Sequence, residues 1–184
     1  MVTPWLEYGA DVEDATEASE PKWLDADEQQ QWYAFAYVLT QLPAALNAQM
    51  QRDAGIGHFE YLVLSALSMS PERTLRMSEI ARYVGSTLTR LSNVVIRLEK
   101  RGWVRRNPDP ADGRATLATL TDDGADKVAT AAPWHVDTVR RLVFDPLTKA
   151  QQRQLGAVSQ RILGALRAPC PTDWAPPVIP AWRD

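Results

Sequence analysis

The sequence predicts a mainly α-helical fold carrying a small β-wing, and three features point to it. Apolar residues recur at spacings of three and four along much of residues 25–167, the period of helices that bury one stripe. A basic amphipathic helix stops at Gly102 and runs straight into the short strand Trp103-Val104-Arg105-Arg106. A turn-rich loop, Asn107-Pro108-Asp109-Pro110-Ala111-Asp112-Gly113, then leads to a second strand, Ala115 to Leu120. A helix followed by a basic hairpin is the outline of a winged helix-turn-helix, a shape that puts one element in a DNA groove and another beside it.

Each element has its own local cause. Residues 1–22 are acidic and aperiodic and read as a loose arm. From about Asp25 to Gln51, Trp32, Phe35, Leu39, Leu42, Leu46 and Met50 form one helical stripe, with a kink expected at Pro43 and an end at Arg52-Asp53-Ala54-Gly55. A second helix covers about Gly57 to Met69, with Phe59, Leu62, Val63, Ala66 and Leu67 inward, and Ser70-Pro71 breaks it. Leu75 suits a small first strand of the wing. Ser78 is the expected cap of a short third helix over Glu79 to Val84, and Gly85 leaves only a tight turn before the fourth.

In that fourth helix Leu88, Leu91, Val94, Val95 and Leu98 make the core stripe, with Ser86 or Thr87 as cap and Lys100-Arg101 complementing the helix dipole. Thr121-Asp122 starts a fifth helix that reaches about Phe144, bent at Pro133. Thr148 caps a sixth through Leu166, along Leu155, Val158 and Ile162. The final sixteen residues hold five prolines and two tryptophans and favour an extended segment. The expected division is a flexible arm at 1–22, an N-terminal helix at 23–54, the winged helix-turn-helix at 55–121, C-terminal helices at 122–168 and the Pro/Trp-rich tail at 169–184.

Composition narrows the function. The net charge of -3 hides an uneven distribution: residues 73–114 hold ten Arg/Lys against four Asp/Glu, and the remainder is acidic. A basic island on an acidic chain is the electrostatic footprint of a DNA-reading module. The acidic start lacks the basic and apolar segments of a secretory signal, and no apolar run of spanning length occurs, so no membrane partner is expected. The single cysteine, Cys170, fits a reducing cytoplasm. Two histidines and one cysteine make no metal set, and no nucleophile–base pair or carboxylate pair stands at a telling spacing. Neither an enzyme, a metal nor a cofactor is expected.

The motifs taken together resemble the MarR family of bacterial transcription regulators. They are Ile56-Gly57-His58-Phe59-Glu60-Tyr61-Leu62-Val63-Leu64, Arg76-Met77-Ser78-Glu79-Ile80-Ala81 and Thr89-Arg90-Leu91-Ser92-Asn93. Arg97-Leu98-Glu99-Lys100-Arg101-Gly102-Trp103-Val104-Arg105-Arg106 follows, then Asp112-Gly113-Arg114 and Leu120-Thr121-Asp122-Asp123-Gly124. Each is weak alone; six in this order over residues 25–167 are specific. Gly57 departs from the pattern, standing where a capping Thr or Ser is usual.

The resemblance implies a homodimer whose N- and C-terminal helices interlock and whose two winged lobes read a pseudo-palindromic operator in double-stranded DNA. The apolar stripes of the first, fifth and sixth helices agree with that. It makes the fourth helix the recognition element. Thr89, Arg90, Ser92 and Asn93 reach base edges, with Arg97 further along the exposed side, and Ser86 and Thr87 meet phosphate. Ser92 equally fits packing against the second helix. Arg114 at the wing tip suits a minor groove, oriented by a salt bridge from Asp112; of Arg105 and Arg106, which alternate on a strand, one faces phosphate and the other a carboxylate or solvent. Family effectors, often small phenolic or aromatic acids, bind between helices and lobe, where Trp32, Phe35, His58, Tyr61, Trp134 and His135 are candidates; at helical spacing the same residues fit plain core. The implied function is a ligand-responsive regulator, most simply a repressor. A ligand-independent regulator and a winged-helix protein–protein module are the alternatives.

Overall fold

The computed structural model describes residues 21–167; the rest of the expected arm, the Pro/Trp-rich tail and Cys170 lie outside them. The chain divides into two units, Met1–Val38 and Leu39–Asp184, with the division inside the first helix.

In the first unit, α1 (Ala26–Ala54) begins behind a reciprocal cap. The Glu28 amide donates to Asp25 Oδ1 at 2.8 Å and the Asp25 amide to Glu28 Oε2 at 3.0 Å. Trp32, Tyr33, Phe35, Tyr37 and Val38 on this stretch are all exposed. Pro43 sits within α1 without ending it.

In the second unit, α2 (His58–Ser68) leads to a short 3-10 turn, then β1 (Thr74–Arg76), α3 (Met77–Tyr83) and α4 (Leu88–Lys100). The wing is β2 (Val104–Asp109) and β3 (Asp112–Leu120), and α5 (Asp122–Val139) and α6 (Lys149–Arg167) follow. The sheet is antiparallel in the order β1-β3-β2, with Leu75 opposite Ala118 and Arg105 opposite Thr119. The core gathers Met50 of α1, Ile56, Tyr61, Val63, Leu64 and Leu67 around α2, Ile80 of α3, and Leu91, Val95 and Leu98 of α4. Val104, Ala118 and Leu120 close it from the sheet.

Several expectations need correction. The wing strands are longer than the loop chemistry suggested, and only Pro110 and Ala111 remain between them. Pro108 is tolerated because β2 is an edge strand, and the register shifts beside it. The third helix begins at Met77 rather than behind Ser78, because the Arg76 amide donates to Glu79 Oε2 at 2.9 Å and sets the start two residues earlier. Leu88 is exposed, since it is the first residue of α4 and lies above the buried stripe. The fifth helix does not run unchanged to Phe144; residues Arg140–Phe144 form a wider π-type turn.

One glycine is fixed by close approach. A Cβ on Gly124 would lie inside contact distance of the Trp103 carbonyl oxygen and 2.7 Å from Leu120 Cδ1, so only glycine lets α5 start against the base of the wing. Gly57 has no capping side chain. Asn47 Oδ1 of α1 instead accepts the His58 amide at 3.1 Å, and a Cβ on Gly57 would lie 3.3 Å from that oxygen.

Candidate nucleic-acid interface

The start of α4 is built by its cap. Thr87 Oγ1 accepts the Arg90 amide at 3.3 Å, satisfying one orphan donor of the first turn. Ser86 is half-buried and its hydroxyl donates to the Thr87 carbonyl at 3.2 Å, so Thr87 alone is the cap. With Leu91, Val94, Val95 and Leu98 buried, helical geometry leaves Thr89, Arg90, Asn93 and Arg97 exposed. Ser92 is half-buried, between the two outcomes open for it.

Two troughs flank α4. One, of about 790 Å³, lies between its Arg90, Asn93 and Arg97 side and the start of α2 with Asn47 and Gln51. The other, of about 440 Å³, lies between Leu88 and Ser92 of α4, Arg76 to Ser78, and Arg106, Asp112 and Arg114 of the wing. Arginines line both.

The arginines divide sharply by partner. Arg76 Nη2 pairs with Asp109 Oδ2 at 2.6 Å, and the Ala111 amide donates to Asp109 Oδ1 at 2.9 Å. That amide first, and Arg76 after it, hold the Asp109 carboxyl below the usual carboxylate range. Arg106 Nη2 pairs with Glu99 Oε2 at 2.7 Å, its amide donates to Glu99 Oε1 at 3.1 Å, and Glu99 is held low in turn. Arg105, on the opposite face of β2, is exposed and has no ion pair among the described residues. The same holds for Arg114.

Asp112 does not bridge to the Arg114 side chain; Oδ1 accepts the Arg114 amide at 3.1 Å. It shapes the backbone of the tip and leaves the guanidinium free. The sequence reading missed Asp109 as the buried anchor of the wing. A carboxylate two residues before a turn amide was the only local sign of it, and its partner is 33 residues away.

The effector candidates separate. His58, Tyr61 and His135 come together: the imidazoles stack at 5.3 Å and the Tyr61 and His135 rings are 4.7 Å apart. His58 Nε2, Tyr61 Oη and His135 Nδ1 are buried with no hydrogen-bond partner. Ser65 draws the Tyr61 phenol slightly back from the higher pKa that burial gives it, without completing a well-formed hydrogen bond. Burial, with His135 adding a little, lowers His58 to about 4, and burial lowers His135 as well. A pocket of about 350 Å³ beside them is lined by Tyr61, Ser65, Met69, Tyr83, His135, Val139 and Phe144. Trp134 is exposed. Trp32 and Phe35 belong to the first unit, where their rings lie 6.4 Å apart. No group of three or more metal-ligating side chains occurs among the described residues, and no described helix is long and apolar enough to cross a membrane.

A capped, exposed basic helix beside a two-stranded wing with free arginines is the architecture of a winged helix-turn-helix protein. Residues 55–115 match the family described as MarR family. The chain is 46% identical to Sco3205, a MarR family transcriptional regulator of Streptomyces coelicolor whose crystal structure is a complex with DNA; the match covers 78% of this chain and 94% of that one, with a TM-score of 0.75. AbsC of the same organism, also a MarR family regulator, is 31% identical with a TM-score of 0.74, over 80% of this chain and 99% of its own. The HTH-type transcriptional regulator PapX of Escherichia coli is 32% identical over 95 residues, 48% of this chain and 58% of the length of that protein. The chain belongs to the MarR family of transcriptional regulators.

Proposed function

We propose that the protein is a homodimeric, sequence-specific DNA-binding regulator, acting as a repressor that a small aromatic or phenolic effector releases. The observation that carries this reading is the exposed face of α4, with Thr89, Arg90, Asn93 and Arg97 between two arginine-lined troughs. A helix with a concave channel on each side can enter a major groove while the two strands of the duplex pass along the channels. Arg90 then forks onto guanine and Asn93 onto adenine, with Thr89 and Ser92 beside them. Ser86 and Thr87 meet phosphate at the helix start, Arg105 meets phosphate from the wing, and Arg114, its backbone set by Asp112, enters the minor groove.

The dimer is supported by unpartnered apolar surface. Leu155, Val158, Ile162, Leu163 and Leu166 of α6 are all exposed, as are Trp134 and Val136 of α5 and, in the first unit, Trp32 and Phe35 of α1. Faces of this kind need a second copy to bury them, which gives residues 23–54 and 122–168 the dimerisation role and residues 55–121 the DNA. Two lobes related by a two-fold axis suit a pseudo-palindromic operator, and a dimer over two successive grooves occludes a promoter it overlaps. A regulator that acts on chromosomal DNA would work in the cytoplasm.

The effector reading is supported by the Tyr61–His135 pocket, apolar with unpartnered polar atoms at its wall. A ligand there contacts α2 of the DNA-binding lobe and α5 together, so it can bias the spacing of the recognition helices. The test is a mobility-shift titration on the DNA upstream of the protein's own gene, with and without a panel of aromatic acids and phenols. A retarded complex lost on adding one of them supports the reading. Binding that no compound affects removes the effector, and equal binding to unrelated duplexes removes sequence specificity.

A further inference from the structure

We infer that Phe59 and Glu60, consecutive residues in the first turn of α2, are positioning residues for DNA recognition: they hold the side chains of Arg90 and Arg97 in place on α4. The inference rests on the reading of α4 as the recognition helix. Arg90 and Arg97 are two helical turns apart on one face of α4, and each is met by one of the two α2 residues. The Arg90 guanidinium carbon lies 4.6 Å from the centroid of the Phe59 ring. Glu60 Oε1 is 3.4 Å from Arg97 Nε, and Glu60 Oε2 is 3.5 Å from Arg101 Nη1. The Gly57 amide donates to Glu60 Oε2 at 3.1 Å and fixes that carboxylate to the helix start.

Burial decides which partner is the anchor. The Glu60 side chain is 12% exposed and that of Arg97 55%, so the carboxylate belongs to the lobe and the guanidinium to the surface. A long arginine free on a helix loses much rotamer freedom when it docks on a base edge. One stacked on a ring, or tethered to a fixed carboxylate, has lost part of that freedom before DNA arrives. Neither Phe59 nor Glu60 has to touch the duplex for this.

The sign of the charge effect makes the role of Glu60 testable. A carboxylate beside a polyanion weakens binding to every sequence, so its removal by itself strengthens non-specific binding. A positioning carboxylate, when removed, lowers the preference for the right sequence. Only the second effect appears in the ratio of the two affinities.

The experiment uses the full chain and a duplex that the wild-type protein enriches from a pool randomised across two successive major grooves, with a scrambled duplex of equal length beside it. Fluorescence anisotropy gives both affinities, and circular dichroism and Tm monitor folding. Phe59→Leu should lower the selected-to-scrambled ratio about two- to fivefold for each half-site, the worth of one cation–π contact, and Phe59→Tyr should restore it. Glu60→Gln should lower the ratio while scrambled-duplex affinity holds or rises. An unchanged ratio removes the residue concerned from the proposal, and parallel falls in both affinities reduce it to a structural role. Arg90→Ala separates the two levels. If it leaves the ratio intact, or if the wild type enriches no sequence, the reading of α4 fails. If it lowers the ratio and neither α2 variant does, the positioning role alone fails.

Discussion

Arg114→Ala and Arg106→Ala each delete one positive charge from the wing, and they should have different consequences. Arg106 is committed to Glu99, with Nη2–Oε2 at 2.7 Å and Nε–Oε2 at 2.8 Å, while Arg114 is exposed and has no ion pair among the described residues. Of these two, Arg114 is the one free to neutralise DNA charge. Each cation lost that neutralised one phosphate charge lowers the slope of log affinity against log salt by about 0.9, and in a homodimer the substitution enters twice, about 1.8 in all. Over a fourfold rise in salt that slope corresponds to about 12-fold in affinity, so Arg114→Ala should be less salt-sensitive than wild type by about that factor. Arg106→Ala should leave the slope near wild type and cost about 1 kcal/mol of stability by loosening the joint between α4 and β2. Anisotropy titrations of the upstream duplex at several salt concentrations, with thermal melts alongside, measure both. Equal slopes for Arg114→Ala and wild type, or a larger fall for Arg106→Ala, would refute the reasoning.

Other outcomes follow from the packing. Gly124→Ala should destabilise the protein by about 1–3 kcal/mol in a denaturant titration, since its Cβ would meet the Trp103 carbonyl and Leu120 Cδ1; a wild-type midpoint would show that the contact relaxes freely. His58 titrates near 4 in the folded protein against 6.5 when unperturbed, so the unfolded chain binds more protons between those values. Its contribution is full above about pH 6.5 and is lost as pH falls toward 4. With the partly exposed ring allowing for solvent screening, the loss is about 2 kcal/mol, and His58→Gln should flatten that part of the stability profile. Ile162→Asp with Leu155→Asp should yield a monomer in sedimentation, and a persisting dimer would move the interface away from α6.

Much of the fold was legible because its causes are local. The caps at Thr87, Thr121 and Thr148 lie three residues from the amides they accept, and the apolar stripe of α4 from Leu91 to Leu98 is a matter of period alone. The alternation of β2 showed that Arg105 and Arg106 must face opposite ways, and Arg106 indeed meets Glu99. Non-local contacts were hidden. Asn47 replaces the missing cap of Gly57 by accepting the His58 amide from eleven residues upstream, and Arg76 holds Asp109 from 33 residues away. Leu88 matched the period of the stripe but is the first residue of the helix and stays exposed. The meeting of His58 with His135 joins α2 to α5 across 77 residues, and periodicity could place each only on its own helix face.

The central claim, a dimer that reads two half-sites with α4 and the wing, is tested most directly by a hydroxyl-radical footprint on the DNA upstream of the protein's own gene. The expected pattern is two symmetric protected windows about one helical turn apart, each flanked by minor-groove protection that Arg114→Ala removes. A single window, or protection spread evenly with no two-fold centre, would contradict the account.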